Sequence, residues 1–237
     1  MSPAAMGTQL PLGVTLPLET RLRDFVPGSN GEALAAAEAV AEGRLSGCLY
    51  FAGSAASGKS HLLQGICRQA HGAGQMTAYL PLSDKALRDP ELLQGWDGFD
   101  LVCIDDLDAM VGDFAWERAL FRLYEGIKEQ AGSLVVTAKD LPGNLGLDLP
   151  DLASRLASGP VYQLSPPDDQ TLAVALTQRM ERQGLVLPEE SARWLLRRAR
   201  RDMHTLMALA DRLDRLSLSA QRRLTIPFLR EALDPEL

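Results

Sequence analysis

The sequence predicts an α/β protein: a mostly parallel β-sheet with flanking helices, followed by an all-helical C-terminal domain. Short apolar runs alternate with helical patterns up to about residue 165, as βαβ units require. After Ser165-Pro166-Pro167 only helical periodicity remains. One run, Leu101 to Asp105 (LVCID), lacks polar alternation, as expected of a strand buried on both faces.

The elements follow in order. Residues 1–20 are rich in Pro, Gly and Thr and read as an irregular tail. Residues 32–42 (EALAAAEAVAE) are strong helix formers. CLYFA (48–52) reads as the first strand, followed by a glycine-containing loop and a helix from Ser60 to about Ala70. TAYLP (77–81) and LVCID (101–105) are the second and third strands. Residues 113–130 predict a helix with Leu120, Phe121, Leu123, Tyr124 and Ile127 on one side. SLVVT (133–137) and VYQL (161–164) complete the sheet. Between them, a short helix from about Pro150 to Ala157 puts Leu149, Leu152, Ala153 and Leu156 on one face. Asp151, Arg155 and Ser158 share another, where Asp151 and Arg155 are spaced for a surface pair. Helices are then expected at 169–183, capped by Gly184, and at about 188–201, 203–216 and 227–233. The expected organisation is a tail (1–20), an α/β domain (21–166) and a helical domain (167–237).

Composition narrows the function. The 237 residues are 46% hydrophobic and 23% charged, enough for a substantial core and against general disorder. A net charge of −7 argues against a protein that coats nucleic acid through its own field. All twelve basic residues after position 167 are arginine. Arg193, Arg197, Arg198, Arg200 and Arg201 surround Trp194, Leu195 and Leu196, so they read as a solvated helix face or a protein contact. Cys48, Cys67 and Cys103 form no CxxC pair and sit in apolar runs, which suggests buried thiols in a reducing compartment. The start lacks a signal-peptide pattern, and no apolar run approaches the ~18–20 residues of a membrane span. A cytoplasmic protein is expected.

Gly53-Ser-Ala-Ala-Ser-Gly58-Lys59-Ser60 fits G-x-x-x-x-G-K-[ST] between a strand and a helix. Such a loop wraps backbone N–H groups around phosphate oxygens. Lys59 would reach the β- and γ-phosphates, and the Ser60 hydroxyl would hold Mg²⁺. Asp105-Asp106 ends the third strand at the sheet edge where ligands bind in such folds. Asp105 would join the Mg²⁺ site, and Asp106 would orient a water as base or positioning group.

With Phe25-Val26-Pro27-Gly28-Ser29-Asn30, the Ala-rich helix and Gly58-Lys-Ser-His61-Leu-Leu63, the chain resembles the AAA+ domain of the DnaA-related family. Leu149-Pro-Asp-Leu-Ala-Ser-Arg155-Leu and Leu224-Thr-Ile-Pro-Phe228 are similar to the branch of DnaA regulatory inactivators, Hda. The resemblance runs from about residue 21 to the end. It implies an AAA+ P-loop domain with a helical lid that binds ADP or ATP with Mg²⁺. Phe25 and Val26, Ser57, His61, Thr137 at the end of the fourth strand and His204 in the lid would complete the nucleotide site. It also implies that Arg155 is an arginine finger acting in trans. Gln9-Leu10-Pro11-Leu12-Gly13-Val14 resembles the hexapeptide that docks on the replicative sliding clamp, with Leu10, Leu12 and Val14 entering an apolar groove and Gln9 at its rim. The partners implied are the β subunit of DNA polymerase III, DnaA, and DNA through the clamp; a homo-oligomer is compatible with the pattern.

Two positions depart from the family. Thr137-Ala138-Lys139-Asp140 has Lys139 where the family's Asp is expected, and His204 stands where the lid normally carries an Arg. Neutral His is a poorer phosphate ligand than Arg, so both changes count against ATP hydrolysis by this chain itself. Three functions stay open: a negative regulator of initiation acting on DnaA, an autonomous ATPase of helicase-loader type, and a DnaA-like DNA-binding module using the Arg-rich lid.

Overall fold

The computed structural model describes residues 20–198, 203–220 and 224–233. Five strands form one parallel sheet: β1 (Gly47–Gly53), β2 (Thr77–Pro81), β3 (Leu101–Asp105), β4 (Ser133–Ala138) and β5 (Val161–Leu164), in the order β2-β3-β4-β1-β5. Helices α1 (Gly31–Ala41) and α2 (Lys59–Gly72) cover one face; α3 (Phe114–Glu129) and α4 (Pro150–Leu156) cover the other. The strand expected to be buried on both faces is so placed. Leu101 and Cys103 of β3 pack toward α1 and α2, while Val102 and Ile104 pack toward α3 and α4. All three cysteines are buried free thiols, and burial pushes Cys48 up to about 12. Cys48 therefore acts as a small apolar group, not a nucleophile.

One expectation for α3 changes. Phe121 is only partly buried, and Glu117 takes a buried position at 2% exposure. Its carboxylate accepts hydrogen bonds from the backbone N–H groups of Gly112 (3.1 Å), Asp148 (3.1 Å) and Leu149 (2.7 Å). These amides lie outside helix and sheet ladders and need an acceptor once buried. Leu149 is the N-cap of α4, so Glu117 fixes where that helix starts.

The C-terminal helices are α5 (Asp169–Arg182), α6 (Glu189–Arg198), α7 (Met203–Ala220) and α8 (Ile226–Leu233). They share a core of Leu176, Met180, Leu195, Leu213, Phe228 and Leu229. Asp168 caps α5 by accepting from the Thr171 N–H at 2.7 Å, and Gly184 takes the left-handed φ of +76° that ends it. The sequence places α7's end at 216, but the helix continues to Ala220. On α6, Trp194 and Leu195 are buried, Arg193 pairs with Glu189, and the Arg198 guanidinium lies 4.3 Å over the Trp194 ring. Residues 199–202, with Arg200 and Arg201, lie outside the described residues. No described helix is long and apolar enough to cross a membrane.

Removing the Glu117 carboxylate strands three amides, so Glu117→Ala should lose about 3 kcal/mol of stability in urea unfolding. Glu117→Gln keeps one acceptor oxygen and should recover part of that loss.

Candidate functional site

The phosphate loop leaves β1 at Gly53 and enters α2 at Lys59. Its glycines are required by space as well as by backbone angle. Gly58 has φ +96°, and a Cβ there would lie 2.7 Å from the Phe25 ring. A Cβ at Gly53 would lie 2.6 Å from Ser57 Oγ. That Ser57 oxygen is buried with no hydrogen-bond partner. Lys59 Nζ donates to the carbonyls of Gly53 (2.7 Å) and Ser54 (2.9 Å), at 8% exposure of the residue. An ammonium has three donors, so one remains for an anion in the loop. Ser60 sits half-buried in the first turn of α2, where backbone N–H groups lack helical partners.

The acidic side lies two strands away. Asp105 is 1% exposed at the end of β3. Thr137 Oγ1 donates to its Oδ1, and Tyr79 Oη donates to its Oδ2 at 2.8 Å. Burial and the Asp105 charge push the Tyr79 pKa well up, so its hydroxyl keeps its proton. Thr137, expected at the nucleotide, places its hydroxyl on the acid pair, since it also accepts from the Asp106 N–H at 3.0 Å. The reason is position: β4 lies between β3 and β1, so Thr137 stands beside the carboxylate. Asp106 is half-buried in the left-handed region at φ +56°. Burial, then the Asp105 charge, raises its pKa, making it a better proton acceptor than a free carboxylate. Lys139 is exposed, and its N–H donates to Asp108 Oδ1 at 3.0 Å.

A cleft of about 260 Å³ lies between the phosphate loop and the helical region. Phe25, Val26, Ser57, Gly58 and His61 line one wall; Thr171, Arg179 and Arg182 of α5 and Met203 and Met207 of α7 line the other. The Phe25 and His61 rings are 5.6 Å apart. Burial lowers the His61 pKa, which keeps the imidazole neutral, with Nε2 3.0 Å from the Arg21 carbonyl oxygen. Two contacts tie the chain together at the cleft's rim. Asn30 exchanges two hydrogen bonds of 2.9 Å with the Ser165 backbone, and Arg182 pairs with Asp24 at 3.1 Å. Sequence reasoning missed Thr171, Arg179, Arg182, Met203 and Met207; no spacing signals them, because only helix packing brings them here. A larger groove of about 850 Å³ lies on the other face of α5, against α6, and contains none of the loop residues.

The chemistry fits a nucleoside di- or triphosphate with Mg²⁺. Ser57 offers an orphan hydroxyl, Lys59 a spare N–H, and Ser60 a hydroxyl beside them. Asp105 has about four acceptor sites, of which two are taken. The His204 backbone belongs to α7, but its side chain lies outside the described residues. So do Gln9, Leu10, Leu12 and Val14.

Arg155 is half exposed, and its partner differs from the expected Asp151. Its Nε donates to Glu125 Oε1 on α3 at 2.8 Å. The α3–α4 packing brings Glu125 within reach, and the long Arg side chain spans to it. The helix end that carries Arg155 lies at the start of β1, with the Leu156 carbonyl 3.8 Å from Cys48 Sγ. Gly53 is five residues further along that strand, roughly 16 Å away. The helix end that carries Arg155 thus stands at the opposite end of β1 from the phosphate loop.

Residues 168–233 match the family described as "Hda, lid domain". The fold is similar to domain III of the Thermotoga maritima replication initiation protein DnaA (TM-score 0.77, 22% identity, covering 94% of this chain and 98% of that one). It is also similar to AMPPCP-bound DnaA from Aquifex aeolicus (0.73, 21%, 86% and 67%). The Thermotoga maritima RuvB Holliday junction branch migration motor matches at 0.69 with 17% identity, covering 92% and 72%.

If the loop holds a polyphosphate, Lys59→Ala should weaken ADP binding on the order of 100-fold by loss of a charge-assisted bond, measured by titration of a fluorescent ADP. Its unfolding midpoint should stay near that of the wild type.

Proposed function

We propose that this chain, a DnaA-related AAA+ protein with a lid of the Hda type, is a negative regulator of chromosomal replication initiation. It holds ADP or ATP with Mg²⁺ between the sheet and the lid. Its tail, through Gln9, Leu10, Leu12 and Val14, docks on the DNA-loaded sliding clamp. Arg155 is presented to ATP bound by DnaA, and hydrolysis leaves DnaA in its inactive ADP form.

The placement of Arg155 carries this reading: half exposed, on α4, at the end of the sheet remote from its own phosphate loop. A guanidinium there can reach a nucleotide on another subunit. Its planar fork matches phosphate oxygens, and such a finger raises hydrolysis by ~10³–10⁵-fold. The Glu125 pair is half exposed, worth roughly 0.2–1 kcal/mol, so exchanging it for a phosphate costs little. Next to the chain's own cleft, Lys59 would bind phosphate, Ser60 and Asp105 would hold Mg²⁺, and Asp106 would orient water. Mg²⁺, when bound, supplies charge neutralisation at the phosphates. A net charge of −7 agrees with access to DNA through the clamp.

A second reading, an autonomous ATPase, is favoured by one observation: Asp106 is half-buried beside Asp105 and its pKa is raised, as suits a general base. Sustained turnover by the purified chain alone would select it.

In an assay of DnaA-bound ATP hydrolysis with DNA-loaded clamp, Arg155→Ala should lower stimulation ~10²-fold or more while leaving ADP binding to the chain intact. Stimulation at the wild-type level would remove the finger from the mechanism. Deleting residues 1–14 should abolish stimulation, and retained activity would contradict docking through the tail.

A further inference from the structure

We infer that Tyr79, held by Gln64, is a positioning residue that sets Asp105 against Ser60 for Mg²⁺; this rests on the reading of the cleft as a nucleotide site. Four side chains form a directed series of hydrogen bonds. Thr20 Oγ1 donates to Gln64 Oε1 at 3.1 Å, which turns the Gln64 amide nitrogen toward Tyr79. Gln64 Nε2 donates to Tyr79 Oη at 3.1 Å, and Tyr79 Oη donates to Asp105 Oδ2 at 2.8 Å. The direction matters, because each donation strengthens the next.

Ser60 and Gln64 are four residues apart on α2, so they share a helix face. The Gln64–Tyr79–Asp105 series therefore ties the face bearing Ser60 to the end of β3. Core packing of Leu62, Leu63 and Ile66 on Leu101 and Cys103 holds α2 against β3, but among the described residues no hydrogen bond joins Ser60 to Asp105, so the orientation of the carboxylate is left to its own partners. Thr137 restrains only Oδ1. Without the Tyr79 hydroxyl, Oδ2 loses its one donor among the described residues, and the carboxylate can rotate about its remaining bond. Tyr79 lies on β2, a strand that carries no phosphate-loop motif, which is why the sequence pattern does not mark it.

The test uses the full chain and fluorescent ADP, titrated in Mg²⁺ and in EDTA. Wild type should bind more tightly in Mg²⁺. Tyr79→Phe should lose roughly tenfold of that Mg²⁺ enhancement, the usual effect of removing a partner that orients a metal ligand, with affinity in EDTA unchanged. Gln64→Met, at a half-buried helix position, should shift the enhancement in the same direction by less, and serves if the buried substitution fails to fold. An unchanged Mg²⁺ enhancement in both variants overturns the inference. So does a parallel loss in Mg²⁺ and EDTA, which marks a merely structural tyrosine. Failure of the wild type to bind ADP in either condition overturns the nucleotide-site reading itself.

Discussion

A carboxylate buried at 1% exposure is the constraint around which the edge of the sheet is organised. Left unpaired, the Asp105 charge would cost several kcal/mol, so the strands on either side must bring donors to it. The parallel register supplies them. Ile104 lies opposite Val136, which sets Thr137 beside Asp105, and Thr137 in turn pairs with Phe51, two residues before the phosphate loop. On the other side, Pro81 lies opposite Asp105, which leaves Tyr79 two residues back on the same face. Backbone pairing thus brings acid, hydroxyls and phosphate loop to one edge of the sheet, and side-chain bonds then orient the carboxylate. A slip of one residue in either pairing would turn the hydroxyls to the opposite face.

The second organising feature is the seam between the sheet and the helices after residue 168. The segment Asp24–Asn30 runs along it, and each part has a different attachment. Asp24 takes an ion pair from Arg182, Phe25 packs on His61 and Gly58, and Asn30 closes on the Ser165 backbone. At Gly28, a Cβ would lie 2.6 Å from Thr171 Oγ1, so the left-handed glycine also admits α5. Movement of α5 would change Arg182, Thr171 and the cleft together.

Much of this was readable beforehand. The five strands were located within a residue at each end; the three central ones, β1, β3 and β4, are almost wholly buried and leave uninterrupted apolar runs. The loop from Gly53 to Ser60 was readable because its chemistry is local: consecutive residues act together. The bonds of Thr137 were not readable, for the opposite reason. Its hydroxyl sits at the right edge of the sheet, but which of two neighbours it bonds depends on the order of strands. The same holds for Arg155, whose helix was foreseen while its partner was not. Asp151 is spaced correctly on the helix, yet α3 brings Glu125 closer to the guanidinium.

By itself, the sequence determined the parallel sheet, the helical region that follows it, the phosphate loop and the acidic end of β3. All of these are encoded by periodicity or by residues adjacent in the chain. Tertiary structure alone decided that Glu117 is buried to receive three amides and that Tyr79 and Gln64 reach Asp105. It also decided that Arg179, Arg182, Met203 and Met207 face the cleft, and that Arg155 stands at the far end of the sheet from its own loop. Each of these joins residues distant in the chain, and a hydrogen bond or ion pair of that kind is fixed by strand order and helix packing, which no local pattern records.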